Sequence, residues 1–511
     1  MSLLKAIGTV GFYTGLSRIT GFARDILIAQ ILGAGLVSDA FFVAFKFPNL
    51  FRRLFGEGAF NAAFVPLFSR RLESENGRER AFVFAQDALA VLALALALFV
   101  GLLETIMPLA MYVFAPGFAT NADKFDLAIW LTRITFPYLL LISLVSLLSG
   151  VLNTLGKFAA AAATPILLNL TLIGALLLLT PLTPTPGHAL AIGTALAGVL
   201  QLAWVGWNCQ RLGFVFRLRR PRLTPDVRLL LKRILPGTVG AGIYQLNLLV
   251  DTMLASMVAE GAVSYLYYAD RVNQLPLGIV GAAIGTALLP VLSRHLASGN
   301  DKAAQSAQNR SMEFGLLITV PAAAGLMALS QPIVEVLFER GAFSPEDSIA
   351  TARTLAAFSL GLPAFVLIKG LTPAFFARED TTTPVKIASF AMLANIVFAV
   401  ALMPLLGFVG IALASACSAW LNVGLLYGKV RRQDWFVPDN RLKERVPRIL
   451  VAALIMGLAA YGVAAVLDGT HFLGRIVSLI AAIGTGLAVY AVLALVLKAA
   501  SIADIGWKGK S

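Results

Sequence analysis

Residues 88–113 read ALAVLALALALFVGLLETIMPLAMYV, and Glu104 is the one charged residue in this stretch. An apolar run of about 18 residues or more is long enough to cross a bilayer as a helix. Because lipid offers no hydrogen-bond partners, a spanning segment must satisfy its own backbone, and a helix does so within one segment. The run therefore predicts a membrane-spanning helix.

Comparable apolar runs recur along the whole chain, so we predict an all-α, polytopic membrane protein with about fourteen spans. Several runs exceed the roughly 20 residues that one crossing needs, and we expect them to be tilted or kinked. The predicted spans lie near residues 4–32, 36–68, 81–113, 124–154, 158–180, 187–210, 226–257, 262–297, 307–338, 348–377, 384–404, 407–429, 447–467 and 473–498.

The composition agrees with a membrane protein and leaves little room for a soluble domain. Of 511 residues, 58% are hydrophobic and 13% are charged, whereas soluble proteins have about 25% charged residues. The net charge is +14, and its excess lies in short loops, where it suits anionic lipid headgroups better than nucleic acid. The two cysteines and three scattered histidines predict neither a disulfide framework nor a metal site.

The basic loops predict the orientation of the chain. Clusters of Arg and Lys occur in residues 69–80, 211–233 and 429–448, and each cluster follows an even-numbered span. The loops after odd-numbered spans hold little more than Lys124, Arg340 and Arg475. Since basic loops stay in the cytoplasm, both termini are predicted to be cytoplasmic.

An internal repeat predicts two lobes. Residues 66–70 (PLFSR) and 290–294 (PVLSR) lie 224 positions apart, since 290 − 66 = 224. Pro137 with Pro363 and Asn169 with Asn395 follow at nearly the same offset. Such repeats are common in transporters, with the substrate site between the halves. We assign the lobes to residues 1–215 (spans 1–6) and 216–432 (spans 7–12), followed by a C-terminal helix pair in residues 433–511.

Charged residues inside predicted spans 1, 2 and 8 are the main functional signal. A charge at the bilayer centre costs about 2.5–3.5 kcal/mol on insertion scales, so such residues usually face a bundle interior or a wet cavity. At 100° per residue, four polar residues of span 2 fall within about 40° of one another, although Pro48 can kink the helix between them. Those four are Asp39, Lys46, Arg53 and Glu57, and the other candidates are Arg18, Arg24, Asp25, Asn49, Arg52, Asp270 and Arg271.

Taken together, these residues suggest a cationic cavity that holds an anionic substrate. Arginine binds phosphate oxygens with two parallel hydrogen bonds, and lysine adds a point charge. The acidic residues would pair with the cations when the ligand is absent, or form gates. Taken singly, each charge is explained as well by snorkelling or by a structural ion pair. Asp251, in span 7, fits either a cation ligand or a buried hydrogen-bonded acid.

Seven short motifs carry a resemblance to a known family. The motifs are SR (17–18), GFARD (21–25), SDAFFVAFK (38–46), PNL (48–50), RR (52–53), EGAF (57–60) and YYADR (267–271). Together they closely resemble the MurJ (MviN) family of lipid II flippases, and the likeness runs nearly the full length, including two extra C-terminal helices.

The resemblance implies a fold like that of the multidrug/oligosaccharidyl-lipid/polysaccharide exporter superfamily, with spans 13 and 14 lining a groove for a lipid tail. It also implies transport of lipid II, an undecaprenyl-diphosphate-linked disaccharide peptide, from the cytoplasmic to the periplasmic leaflet of the bacterial inner membrane for peptidoglycan synthesis. The essential cavity arginines of the family match Arg24, Arg52 and Arg271, and its supporting charges match Arg18, Asp25, Asp39, Lys46, Glu57 and Asp270.

The resemblance leaves the driving force open. Part of the family has a sodium site in the second lobe, and Asp251 is a candidate equivalent, but its other ligands find no secure match. Sodium and the membrane potential therefore both stay as candidate driving forces for transport, and no further cofactor is expected. The expected partners are lipid II and membrane lipids, with a monomer working near the cell-wall synthesis machinery.

Two kinds of alternative remain. One is a related exporter, either of another polyprenyl-diphosphate glycan or of drugs in exchange for cations; a drug antiporter would carry acids and aromatic residues in its cavity. The other is a membrane enzyme acting on polyprenyl phosphates. Such an enzyme needs a clustered acid pair or a histidine near one face, and we find neither, so the sequence favours a transporter.

Overall fold

The computed structural model describes residues 3–55, 59–214, 219–467 and 471–501. These residues form helices joined by short loops, and no strand occurs in the described ranges. The predicted all-α fold is confirmed. The helices are α1 (Leu3–Leu32), α2 (Leu36–Phe55), α3 (Ala59–Leu72), α4 (Gly77–Thr105), α5 (Met107–Phe114), α6 (Ala122–Thr135), α7 (Tyr138–Thr154), α8 (Phe158–Ala162), α9 (Thr164–Leu179), α10 (Pro186–Gln210), α11 (Pro225–Ser256), α12 (Ala262–Ala297), α13 (Asp301–Ala328), α14 (Ser330–Phe338), α15 (Pro345–Ser359), α16 (Leu362–Phe376), α17 (Thr382–Leu406), α18 (Phe408–Arg432), α19 (Asn440–Val466) and α20 (Phe472–Val496).

Ten helical segments of the described chain are long and apolar enough to cross a membrane. They coincide with ten of the predicted spans, namely 3 to 6 and 9 to 14. The remaining predicted spans 1, 2, 7 and 8 are helical as well, as α1, α2 with α3, α11, and α12. The total of fourteen spans therefore stays a prediction.

Several predicted spans are broken into two helices, and the breaks recur in both halves of the chain. Predicted span 3 breaks at Ile106 and span 9 at Leu329, while spans 4 and 10 break beside Pro137 and Pro363. Proline lacks a backbone N–H and clashes with the preceding turn, so it ends or kinks a helix. The length of these runs is thus accommodated by kinks, as expected.

The chain divides into two compact units, and the first comprises Met1–Ser264 together with Arg340–Phe343. Within it α10 packs on α7 and α9, α2 packs on α6, and α11 packs on α2 and α3. Its apolar core is built largely from α3, α4 and α7 and includes the fully buried Phe64, Phe68 and Leu147. This unit carries most of the predicted site residues.

The second unit comprises Tyr265–Glu339 and Ser344–Ser511. Within it α17 and α18 form a hairpin, α19 packs on α13 and α20, and α13 packs on α16. One core cluster includes the buried Phe375 and Val430. The lobes predicted from the repeat, with boundaries after residues 215 and 432, describe sequence symmetry rather than packing and stay predictions.

Candidate functional site

Arg24, on α1, is a buried arginine with partners on two sides. Its side chain is 5% exposed. Its Nε and Nη2 donate to Asp25 Oδ1 at 3.0 and 2.6 Å, and its Nη1 donates to Asn169 Oδ1 at 2.9 Å. The guanidinium lies 5.7 Å from the centroid of the Phe45 ring on α2. Residues of α1, α2 and α9 therefore fix the position of this charge.

Asn169 connects α9 to α1 and was not predicted as a site residue. Its Nδ2 donates to the Ser17 carbonyl oxygen at 3.0 Å and to Thr20 Oγ1 at 3.2 Å. A Cβ on Gly21 would lie 3.2 Å from that same nitrogen, so glycine makes room for the amide. A lone amide in an apolar span was the available signal, because polar groups in such spans are costly unless they are paired.

The Arg24–Asp25 pair can exchange one anion for another. In a low-dielectric site a guanidinium requires a counter-charge, and breaking a buried pair without replacement is strongly unfavourable. Phosphate oxygens offer the same charge and the same acceptor geometry as a carboxylate. A phosphate that reached Arg24 would therefore compete with Asp25 for the same N–H groups.

Asp39, on α2, is the acceptor for four hydrogen bonds in the first unit. Its Oδ2 accepts from Lys124 Nζ at 2.7 Å and from the Gly261 backbone N–H at 2.8 Å. Its Oδ1 accepts from the Ser264 backbone N–H at 2.9 Å and from Ser264 Oγ at 2.6 Å. Gly261 and Ser264 flank the start of α12, so Asp39 caps that helix from a neighbouring one, where a negative charge is favourable.

The burial of this cluster corrects two expectations. Asp39 is 0% exposed, so it does not line a cavity in this structure, and a role as a gate stays a prediction. Lys124 was predicted as part of an outer loop, but it lies in the first turn of α6, is 5% exposed, and pairs with Asp39. The physical reason is that a buried carboxylate requires a nearby cation.

Asn49 holds Arg52 along α2. Asn49 Nδ2 donates to the Phe45 carbonyl oxygen at 2.7 Å, and Arg52 Nε donates to Asn49 Oδ1 at 3.0 Å. Both side chains are half-buried. The three-residue spacing of Asn49 and Arg52 places them on one side of the helix. The amide therefore orients the guanidinium and leaves it partly accessible.

Lys46 reaches from α2 to α11. Its Nζ lies 3.4 Å from Thr252 Oγ1 and donates to it. Thr252 follows Asp251, which is half-buried on the same helix. No group of three or more His, Cys, Asp or Glu that could hold a metal occurs among the described residues. The cation role of Asp251 stays a prediction.

The remaining candidates near the N-terminus are Arg18, Arg53 and Glu57. Arg18 is exposed on α1. Arg53 is a residue of α2 whose side chain lies outside the described part of the structure, and Glu57 lies wholly outside it.

Arg271 and Asp270 lie on α12, in the part of that helix that belongs to the second unit. Arg271 is half-buried, its Nη2 donates to the Tyr267 hydroxyl at 3.0 Å, and its guanidinium lies 5.0 Å from the Tyr267 ring centroid. Asp270 accepts a hydrogen bond from Gln274 Nε2. Tyr267 therefore orients Arg271 from one turn away. Convergence of Arg271 with Arg24 and Arg52 stays a prediction.

A second ionic cluster, missed by the sequence reasoning, joins α13 to α19. Glu313 is 5% exposed and pairs with Arg310, Arg441 and Arg445. The basic residues of this region were interpreted as topology signals alone. The available signal was Glu313 itself, an acid just inside predicted span 9, which needs cations when it is buried.

Comparison with known proteins identifies the family. The family model "Lipid II flippase MurJ" matches residues 28–482, which is most of the chain. This chain belongs to the lipid II flippase MurJ family. The resemblance drawn from the motifs is confirmed. A probable lipid II flippase MurJ from Rhizobium tropici is 47% identical over 463 residues, covering 89% of this chain and 86% of the relative.

Solved structures support the same assignment. A MurJ structure described as an inward closed conformation matches with a TM-score of 0.78 and 26% identity, covering 95% of this chain and 98% of that one. An inward-facing multidrug transporter of the MATE family and MOP superfamily matches with a TM-score of 0.64 and 16% identity, covering 82% and 95%. The second match shows the shared fold alone. The MurJ fold therefore extends over nearly the whole chain.

Proposed function

We propose that this chain is a lipid II flippase that moves its substrate from the cytoplasmic to the periplasmic leaflet by alternating access. The observation that carries the proposal is Arg24, a buried arginine neutralised by Asp25 inside a membrane protein of the MurJ family. A transporter of an anionic headgroup needs such a cation, and it needs a resident anion that shields the cation between substrates.

In this proposal Arg24, Arg52 and Arg271 bind the diphosphate of the substrate. Diphosphate oxygens displace Asp25 from Arg24, while Asn169 and Asn49 keep Arg24 and Arg52 in place. Neutralisation by the substrate lowers the cost of moving the charged site past apolar surfaces. No covalent bond is made or broken, so the protein acts as a transporter and not as an enzyme.

The driving force in this proposal is either sodium or the membrane potential. One charge moved through the full field gains about 2.3 kcal/mol per 100 mV, enough to bias a transport cycle. Asp251 is the candidate sodium ligand. In the same proposal both termini lie in the cytoplasm, as the three basic loops predict. The protein is proposed to work as a monomer near the cell-wall synthesis machinery.

The polyprenyl tail of the substrate is proposed to stay outside the charged site. Helices α19 and α20 pack against each other and expose large apolar side chains, among them Leu458 at 72%, Tyr461 at 60% and Leu473 at 75%. An isoprenoid chain loses nothing by lying against such a surface in the bilayer, whereas it would be poorly solvated near Arg24.

A leaflet-accessibility assay for lipid II tests the proposal. Cells depleted of the native protein would carry wild type, Arg24→Ala, Arg52→Ala or Arg271→Ala, with membrane insertion checked for each. We expect all three variants to insert and to lose translocation. Arg353→Ala is the matched control, because Arg353 is an exposed arginine on α15, and it should translocate normally. Normal translocation in all three site variants would refute the site assignment.

Arg24→Lys separates charge from geometry. Lysine keeps the positive charge but lacks the planar guanidinium that donates hydrogen bonds to Asp25 and Asn169 at the same time. We expect translocation between that of wild type and Arg24→Ala. Activity equal to wild type would show that the planar guanidinium is not needed at this position.

A further inference from the structure

The α17–α18 hairpin of the second unit carries a groove at the end where α17 begins and α18 ends. The groove has a volume of about 530 Å³. Lys386 and Ile387 of α17 face Leu425, Lys429 and Arg432 of α18 across it. Its walls therefore combine three cationic side chains with an apolar surface.

The charge of this groove is positive. Lys386, Lys429 and Arg432 are all exposed, and none of them forms an ion pair with any acid in the described part of the chain. A neighbouring acid is Asp380, whose Oδ1 accepts from the Thr383 backbone N–H at 2.9 Å. The pKa of Asp380 is lowered chiefly by this hydrogen bond, with a smaller contribution from Lys429. The acid therefore caps α17 and leaves a cationic surplus.

The floor of the groove is open because two of its residues have no side chain. Gly424 and Gly428 lie about one turn apart on α18 and line the groove. A Cβ at either position would meet no heavy atom within 4 Å. Space for a headgroup is therefore present against the backbone of α18, and a side chain that begins at either position would start in open space.

An exposed apolar stripe begins at the groove. Phe390, Leu393 and Val397 are 55%, 56% and 64% exposed, and at 100° per residue they project within about 40° of Lys386. Lys386 and Val397 are about 16 Å apart along the helix at 1.5 Å per residue. This length matches half of the roughly 30 Å hydrocarbon core. A free phosphate has no apolar part that could contact this stripe, whereas an acyl chain could lie along it.

We propose that this groove binds the phosphate headgroup of an anionic glycerophospholipid of the surrounding bilayer, with its acyl chains along the stripe on α17. Basic pockets between helices at the cytoplasmic face attract anionic headgroups in this way. The ligand is a resident lipid and not the transported substrate. The proposal therefore stands independently of the translocation mechanism.

Native mass spectrometry of the purified full-length protein with added phosphatidylglycerol tests this proposal. Parallel samples receive zwitterionic phosphatidylethanolamine or inorganic phosphate. The first variant, Lys386→Gln/Lys429→Gln/Arg432→Gln, removes the charge, and we expect its affinity for phosphatidylglycerol to fall roughly a hundredfold, at about fivefold per charge. The second variant, Gly424→Leu/Gly428→Leu, fills the groove, keeps every charge and should also lose the lipid.

Matched controls separate the groove from general surface charge. Lys302→Gln/Arg431→Gln/Lys443→Gln removes three exposed basic residues outside the groove, and Gly462→Leu adds a side chain at an open position on α19. Both controls should bind phosphatidylglycerol like wild type, and the melting temperature of each variant verifies its fold. Equal losses in the control and groove variants would overturn the proposal, as would unchanged binding in either groove variant. Displacement of the lipid by an equal concentration of inorganic phosphate would overturn the assignment to a bilayer lipid.

Discussion

Asp39→Asn is expected to destabilise the first unit strongly, because asparagine has one acceptor oxygen where aspartate has two. The Asp39 carboxylate accepts hydrogen bonds from the Lys124 ammonium, two backbone N–H groups and the Ser264 hydroxyl. In either orientation of the asparagine amide, at least one N–H at the start of α12 loses its acceptor. The ammonium of Lys124, whose side chain is 6% exposed, also loses its counter-charge.

The magnitude follows from these two losses. An uncompensated charge in a broken buried pair costs about 3–5 kcal/mol. This cost accounts for most of the expected destabilisation of Asp39→Asn. Lys124→Met leaves Asp39 with three hydrogen-bond donors. We therefore expect the free energy of unfolding to fall by about 1.5–3 kcal/mol, the range for one hydrogen bond to a charged group. The double variant carries neither charge and keeps one unsatisfied N–H, which costs about 1–3 kcal/mol. The double variant should therefore be more stable than Asp39→Asn alone.

The assay is reversible unfolding in mixed micelles of detergent and sodium dodecyl sulfate, followed by circular dichroism. Asp126→Asn is the control, because Asp126 is exposed on the same helix as Lys124, and surface changes usually stay within about 0.5 kcal/mol. If Asp39→Asn unfolds like wild type, or if adding Lys124→Met worsens it further, the inferred charge pair does not stabilise this unit.

Three further predictions concern other contacts. Asn169→Ala removes one charge-assisted hydrogen bond from Arg24, so we expect lipid II translocation to fall at least about tenfold, the effect of 1.4 kcal/mol; an unchanged rate would exclude Asn169 from the site. Gly341→Ala and Gly299→Ala both place alanine at positive φ, +61° and +69°, but a Cβ meets Gln30 at Gly341 and open space at Gly299. The melting temperature should therefore drop further for Gly341→Ala, and equal drops would contradict the contact. Glu313→Gln should lower the free energy of unfolding by about 3 kcal/mol, the lower end for a broken buried pair, because Arg310 and Arg441 are 33% and 42% exposed. The control in the same unfolding titration is Glu75→Gln, at an exposed position. Equal stability of the two variants would argue against the cluster.

The candidate site was predictable in part, and the reason differs between residues. Arg24 and Asp25 stood out because charges are costly inside apolar runs, and the structure places both in a buried pair. Lys124 was assigned to an outer loop because it begins a span, and sequence position alone carries no information about its depth. Asn169 stood out in the sequence only as a repeat partner of Asn395, since an uncharged amide gives a weaker signal than a guanidinium.

The pattern of polar residues on α2 shows the same limit. A helical projection placed Asp39 and Lys46 on one stripe, yet Asp39 pairs with Lys124 of α6 and Lys46 contacts Thr252 of α11. A projection gives the direction in which a side chain leaves its helix, but it does not show which helix lies opposite. Both partners are distant in sequence and were absent from the candidate set.

The all-α membrane fold and the family both follow from local sequence. Uninterrupted apolar runs leave the backbone no alternative to helices in lipid, and the motifs around Arg24, Arg52 and Arg271 are specific enough to indicate MurJ. The partners of the charged groups depend instead on how the helices pack: Asn169 for Arg24, Lys124 for Asp39, and three arginines for Glu313. Hydropathy is a property of the local chain, so it is visible in the sequence. A buried charge is stabilised by whichever helix packs beside it, and that helix can be distant in sequence.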